Sequence, residues 1–192
     1  MTRSKNPRMA MISGMVRDLT GPAHDCVLIR ADLCDGCGDC VTACERAVAG
    51  NEGEPDSGGA RIRIVNRQDA FLPVLCHNCE EAPCVAACMT GCRRRGCSGF
   101  IETDYARCMG CGMCIMVCPF GAIAPVGDDH KARKCDGCTG MDTPACVIAC
   151  RPGALVKGQV LLFSEHVRRR SAAGIASATG EPASGAKGRA RG

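Results

Sequence analysis

The sequence predicts an α+β fold, rich in loops, built from two small modules in pseudo-symmetric tandem. Three observations predict it. A four-cysteine motif recurs four times, which makes the chain an internal repeat. Only short runs with strand character lie between the motifs, and loops dominate. Aromatic residues make up 3% of the 192 residues, with no Trp, one Tyr (Tyr105) and four Phe. An ordinary aromatic-rich core is therefore missing, and the modules need another source of cohesion.

In chain order, residues 1–23 carry no periodic element and read as an extended lead-in. The body runs from 24 to 167. Cys26 to Arg30 is a short β-type run that feeds the first motif, Cys34, Cys37, Cys40 and Cys44. Residues 50–60 form a Gly/Pro/Asp loop, and Arg61 to Val65 alternates as a strand does. The second motif is Cys76, Cys79, Cys84 and Cys88. Arg93–Arg95 and a strand candidate, Phe100 to Asp104, lead to the third motif, Cys108, Cys111, Cys114 and Cys118, closed by Pro119. The fourth is Cys135, Cys138, Cys146 and Cys150, and Val160 to Phe163 reads as a last strand. Residues 168–192 are basic and, from Ser171, rich in Ala, Gly and Ser. Such a segment buries too little apolar surface to fold and is expected to be disordered.

Nineteen cysteines imply either a disulfide scaffold or a metal protein. Disulfides need an oxidising compartment. The N-terminal apolar run AMISGMV is short, broken by Ser13 and Gly14, and lacks a twin-arginine pair or a cleavage site. No stretch approaches the roughly 18 apolar residues of a membrane span. A reducing cytoplasm and metal-bound thiolates are the expectation. Zinc competes, because four-cysteine zinc sites also use Cys-x2-Cys pairs. The first and third motifs argue against it, since they place three thiolates in seven residues and a fourth on the following helical turn. A tight loop of that kind aims three sulfurs at one iron–sulfur cube, while the fourth reaches a neighbouring cube. Gly36, Gly38, Gly110, Gly112 and Gly137 let backbone N–H groups approach those sulfurs.

The formal charge of +4 excludes little. Four cubes at about −2 each would bring the loaded protein to about −4, so basicity is weak evidence for nucleic acid. The short Gly-x-Gly pairs belong to cysteine loops. There is no phosphate loop, Ser/His/Asp set or aromatic platform, and hence no substrate chemistry: the reading is not an enzyme in its own right. Cys26, Cys92 and Cys97 are left over. They read as small buried hydrophobes or inert thiols, with Cys92, four residues past Cys88, the best candidate for a spare ligand or oxidation-sensitive thiol. His77 reads as a loop residue tuning the site, and His24, His130 and His166 form no constellation. Arg93–Arg95 and Arg168–Arg170 read as solvated faces, or as a docking patch for an acidic partner.

Residues 24–157 resemble the four-cluster ferredoxin-type electron-transfer subunits that serve molybdopterin enzymes, formate dehydrogenases and hydrogenases. The stretches LCHNCEEAPCVAACMTG and RCMGCGMCIMVCPFGAI look most like the iron–sulfur subunit of carbon monoxide dehydrogenase. The resemblance implies four 4Fe–4S clusters, in ferredoxin-like two-cluster modules pairing motifs 34–44 with 135–150 and 76–88 with 108–118. It implies cubes held by Cys34, Cys37, Cys40 and Cys150; by Cys135, Cys138, Cys146 and Cys44; by Cys76, Cys79, Cys84 and Cys118; and by Cys108, Cys111, Cys114 and Cys88. It further implies electrons entering from carbon monoxide dehydrogenase and leaving to a membrane-bound hydrogenase, with membrane association only through a partner. Competing readings are a subunit of a formate dehydrogenase, hydrogenase or molybdopterin oxidoreductase, or a zinc or redox-sensing module binding nucleic acid. Only Cys118 is followed directly by Pro, where the family pattern has Pro after its fourth cysteines. This leaves the local helix geometry at Cys44, Cys88 and Cys150 open.

Overall fold

The computed structural model describes residues 25–49, 59–68, 70–125 and 128–178. The lead-in, most of the 50–60 loop and residues 179–192 lie outside them. The fold is α+β and loop-rich, and each described sheet is a two-stranded antiparallel ribbon. Strand β1 (Cys26–Ile29) pairs with β8 (Leu155–Gly158) in the register Cys26↔Gly158 to Ile29↔Leu155, so the two ends of the body lie side by side. The hairpin β2 (Arg63–Arg67) and β3 (Ala70–Val74) follows the first motif. Strands β4 (Arg93–Arg95) and β5 (Ile101–Thr103) pair between the second and third motifs. Strands β6 (Ala124–Pro125) and β7 (Ala132–Arg133) pair between the third and fourth.

Each motif runs from a loop into a helix. Helix α1 (Asp39–Ala49) buries Cys40, Cys44 and Val48, spaced four apart on one stripe. Single-turn helices α2 (Pro83–Ala86) and α3 (Met113–Met116) bury Cys84 and Cys114, and α4 (Ala145–Ala149) buries Cys146. The third cysteine of every motif is thus inward and helical. Helix α1 packs on α4, and α2 on α3. Two small cores result. One joins Val27, Cys40, Cys44, Val48, Ile62, Leu75, Cys146 and Leu155; the other joins Cys84, Ile101, Cys114, Ile123 and Ala132. Thiols supply a large share of both, in keeping with the shortage of aromatic side chains.

Four expectations are corrected. Val160–Phe163 is not a strand, and the tail is not disordered from residue 168. Both belong to helix α5 (Val160–Ala178). A four-residue apolar run cannot distinguish strand from helix. Here Leu, Glu, Arg and Ala favour the helix, and the i,i+4 pair Glu165–Arg169 at 2.5 Å adds to it. The strand expected over Arg61–Val65 begins only at Arg63. Arg61 and Ile62 are buried, and the Arg61 N–H is committed to the Cys44 sulfur at 3.2 Å instead of a ladder. Finally, Arg93 is no solvated face. It is 2% exposed, and its guanidinium donates to Ala132 O at 2.8 Å and Thr103 Oγ1 at 3.1 Å. Arg94 between its neighbours is exposed, while Arg95 is tied to the carbonyls of Gly99, Cys79 and Glu80. Of the later basic run, Arg169 pairs with Glu165 and Arg170 with Asp32.

Candidate metal centres

The loop between the first two cysteines of each motif must turn back sharply for its thiols to converge. Two residues past the first cysteine, the backbone enters the left-handed region in all four motifs: Gly36 (φ 76°), Asn78 (φ 49°), Gly110 (φ 72°) and Gly137 (φ 81°). At two of these positions glycine is required for space as well. A Cβ on Gly36 would lie 2.5 Å from the Phe71 ring, and one on Gly137 would lie 2.5 Å from the Phe100 ring. Asn78 replaces glycine with a residue that tolerates this conformation. Its side chain accepts from the Ile101 N–H at 2.8 Å and donates to Gly99 O at 2.9 Å, locking the second loop to β5.

The thiols gather across motifs. Cys34, Cys37, Cys40 and Cys150 line one cavity. Cys44, from the first motif, lines a second with Cys135 and Cys138. Cys88, from the second, lines a third with Cys108, Cys111 and Cys114. Cys79 and Cys84 both lie within electrostatic reach of Cys76 and Cys118. Cys146 feels Cys138 and Cys44, and also Cys40 of the first cavity. Cys135 feels Cys76. Cys84 of the second motif and Cys114 of the third share one core, so contact runs from the first group through the fourth and second to the third.

Burial pushes these thiols up: Cys40 to about 11 and Cys146 to about 12, with Cys44, Cys84, Cys135 and Cys138 also raised. Desolvation is the main cause in each case, so thiolates here need a cationic partner. Backbone amides already point at several sulfurs: Arg61 N to Cys44 at 3.2 Å, Leu155 N to Cys150 at 3.3 Å, Asn78 N to Cys76 at 3.4 Å and Gly137 N to Cys135 at 3.4 Å. Soft thiolates spread around a void, with N–H donors on the sulfurs, fit an iron–sulfur cluster. Among the described residues, no three His, Cys, Asp or Glu side chains sit close enough to hold a single metal ion.

Two buried cations were not legible as site residues. Lys134 is 3% exposed, and its ammonium donates to Cys135 O at 2.7 Å and to Ile101 O. Together with Arg93 it lowers the Cys84 thiol against the dominant effect of burial. Both stand in basic runs, RRR and KARKC, whose composition looks like solvent-exposed surface. The signal that marks them is adjacency: KARKC runs into the fourth motif, and RRR follows directly on Cys92.

The leftover cysteines divide. Cys26 is buried at 3% exposure and its thiol donates to Gly158 O at 3.6 Å, as a small hydrophobe would be placed. Cys97 is exposed, so it is not one of the buried hydrophobes. Cys92 is buried beside Cys88, sulfur to sulfur 3.4 Å. His77 stacks on Phe120 with ring centroids 3.9 Å apart, so it ties the second loop to the exit of the third motif. His130 and His166 are exposed, and His24 lies outside the described residues.

Comparison with known proteins gives a consistent picture. The pattern of the 4Fe-4S dicluster domain matches residues 68–160, which contain the second, third and fourth motifs. The chain is 39% identical over 135 residues to an uncharacterized ferredoxin of Methanocaldococcus jannaschii, covering 69% of this chain and 73% of that one. It is 31% identical to the electron transport protein HydN of Escherichia coli (strain K12), covering 76% of this chain and 96% of HydN. It is also 38% identical to the beta subunit of NADH-dependent phenylglyoxylate dehydrogenase of Aromatoleum evansii, over 70% of this chain. It spans only 30% of that longer subunit. No described helix is long and apolar enough to cross a membrane.

Proposed function

The chain belongs to the family of ferredoxin-type 4Fe–4S electron-transport proteins, and from that premise we propose that it holds four cubes and passes single electrons along them from a dehydrogenase to an acceptor. The observation that carries the reading is the exchange of fourth cysteines: Cys150, Cys44 and Cys88 each line a cavity with thiols of another motif. The ligand sets are Cys34, Cys37, Cys40 and Cys150; Cys135, Cys138, Cys146 and Cys44; Cys76, Cys79, Cys84 and Cys118; and Cys108, Cys111, Cys114 and Cys88.

A bound cube supplies reversible one-electron chemistry with little change of shape. The chain does the rest. Inward cysteines on α1 to α4 fix the spacing, and the row runs in the order of contact: first motif, fourth, second, third. Amide donors on Cys44, Cys76, Cys135 and Cys150 stabilise negative charge on sulfur. Lys134 and Arg93 place buried positive charge in the middle of the row, which favours the reduced state there. Cys37 and Cys111 are exposed, so both ends of the row reach the surface where partners can exchange electrons.

The donor we propose is carbon monoxide dehydrogenase and the acceptor a membrane-bound hydrogenase, with membrane contact only through that partner. The resemblance of residues 75–91 and 107–123 supports this pair. A second reading, a subunit serving a different dehydrogenase, is favoured by the similarity to the phenylglyoxylate dehydrogenase subunit. The test is anaerobic. Iron-loaded protein is mixed with catalytic carbon monoxide dehydrogenase and CO, and its visible absorbance is followed. Rapid bleaching that requires the enzyme is expected. No bleaching, in protein that dithionite still reduces, removes this donor and leaves the electron relay standing.

A further inference from the structure

The cavity shared by Cys88, Cys108, Cys111 and Cys114 has a fifth thiol on its wall, Cys92. Four residues past the last cysteine of the other motifs stand Val48, Ala122 and Ala154, none of which can bind a metal. Only the second motif places a thiol there. Cys92 is 3% exposed, and its sulfur lies 3.4 Å from that of Cys88. Its backbone is held by the Asp104 N–H, which donates to Cys92 O at 2.8 Å. A change of χ1 well moves a cysteine sulfur by about 3 Å, which is the scale of the gap between the two sulfurs.

We propose that Cys92 is a reserve ligand, able to replace Cys88 on the cube held by Cys108, Cys111 and Cys114. In the exchange the Cys92 thiol gives its proton to solvent and bonds the iron that Cys88 leaves. The Cys88 sulfur takes up a proton if intact, and no electrons are exchanged. An oxidised Cys88, which has lost its ligand capacity, is replaced in the same way. The inference rests on the four-cube reading, and the two fail differently.

The experiment compares full-length chains reconstituted anaerobically, with iron, sulfide and the EPR spectrum of the oxidised protein as readouts. Cys88→Ala is expected to keep the unaltered chain's iron and show no three-iron signal. Cys118→Ala has only Ala122 at the equivalent position. It is expected to trim or lose a cube, with iron falling by between about one-sixteenth and one-quarter and a three-iron signal appearing if the cube is trimmed. The double variant Cys88→Ala/Cys92→Ala should behave like Cys118→Ala. A Cys88→Ala chain that loses iron as Cys118→Ala does, or fails to fold, overturns the proposal. A second measurement leaves all sixteen ligands in place: under dilute peroxide, Cys92→Ala should lose iron at least about twofold faster than the unaltered chain. Equal rates overturn the reserve role. An unaltered chain that takes up no iron and sulfide overturns the four-cube reading itself, and this inference with it.

Discussion

On the four-cube reading, replacing Lys134 with Met should lower the reduction potential of the cube assigned to Cys135 while leaving iron content unchanged. The Lys134 ammonium is bonded to the carbonyl of Cys135 at 2.7 Å. By ordinary residue dimensions it then lies within about 8 Å of the cube that this residue holds. At an effective dielectric near 20, a unit charge at that range is worth about 2 kcal/mol to each electron added. For a one-electron couple this corresponds to about 90 mV. The sign follows from charge: reduction adds negative charge, the cation favours it, and its removal makes reduction harder. A separate cost falls on stability, because the carbonyls of Ile101 and Cys135 lose a buried donor, at about 1–3 kcal/mol each. Lys134→Arg keeps the charge and should hold the potential within about 20 mV. The assay is an anaerobic redox titration followed by EPR, with thermal loss of visible absorbance measured in parallel. A fully loaded Lys134→Met protein whose potential is unchanged, or higher, would refute the electrostatic role.

Gly137→Ala meets both a left-handed φ of 81° and a contact of 2.5 Å with Phe100. Left-handed strain of about 1–2 kcal/mol and overpacking of about 1–3 kcal/mol should show as a lower thermal midpoint of the cluster absorbance; adding Phe100→Leu should recover only the second part. Arg151→Ala breaks an exposed pair with Asp39 at 2.6 Å, and chemical denaturation should register no resolvable loss of stability, because solvent screens the pair. The metal-stripped chain should lose stability in alkali. Burial raises Cys40 to about 11 and Cys146 to about 12 from 9.0, so their contribution is complete below pH 9 and is lost as pH rises through those values. Far-ultraviolet circular dichroism that is flat across this window would contradict it.

The repeat was legible because metal binding constrains sequence tightly. Thiol spacing fixes loop and helix, which is why Cys40, Cys84, Cys114 and Cys146 could be read as equivalent and prove equally inward. The strand candidates near Cys26 and Ile101 were legible for the ordinary reason of β-type composition. Other features depend on what lies across the fold. Arg93 and Lys134 look like surface residues until the carbonyls of Ala132, Ile101 and Cys135 arrive to receive them. The short strand β7 carries too little pattern to be seen, and exists through its pairing with β6. Helix α5 was missed because its first four residues suit either state, while the Glu165–Arg169 and Arg170–Asp32 pairs belong only to the helix.

The pairing of β1 with β8 has a consequence for how the protein is made. The cavity that Cys34, Cys37 and Cys40 begin is finished by Cys150, so those thiols must wait for the ribosome to travel most of the chain. At about 5–20 residues per second the delay is on the order of ten seconds. The segment from Cys76 to Cys118 is complete much sooner and lies wholly inside that interval. Maturation should therefore begin at the second and third motifs, with iron and sulfide entering there while the first motif still stands open. A chain halted before Cys150 would carry complete second and third sites and an unsealed first site, whose thiols stand open to oxygen.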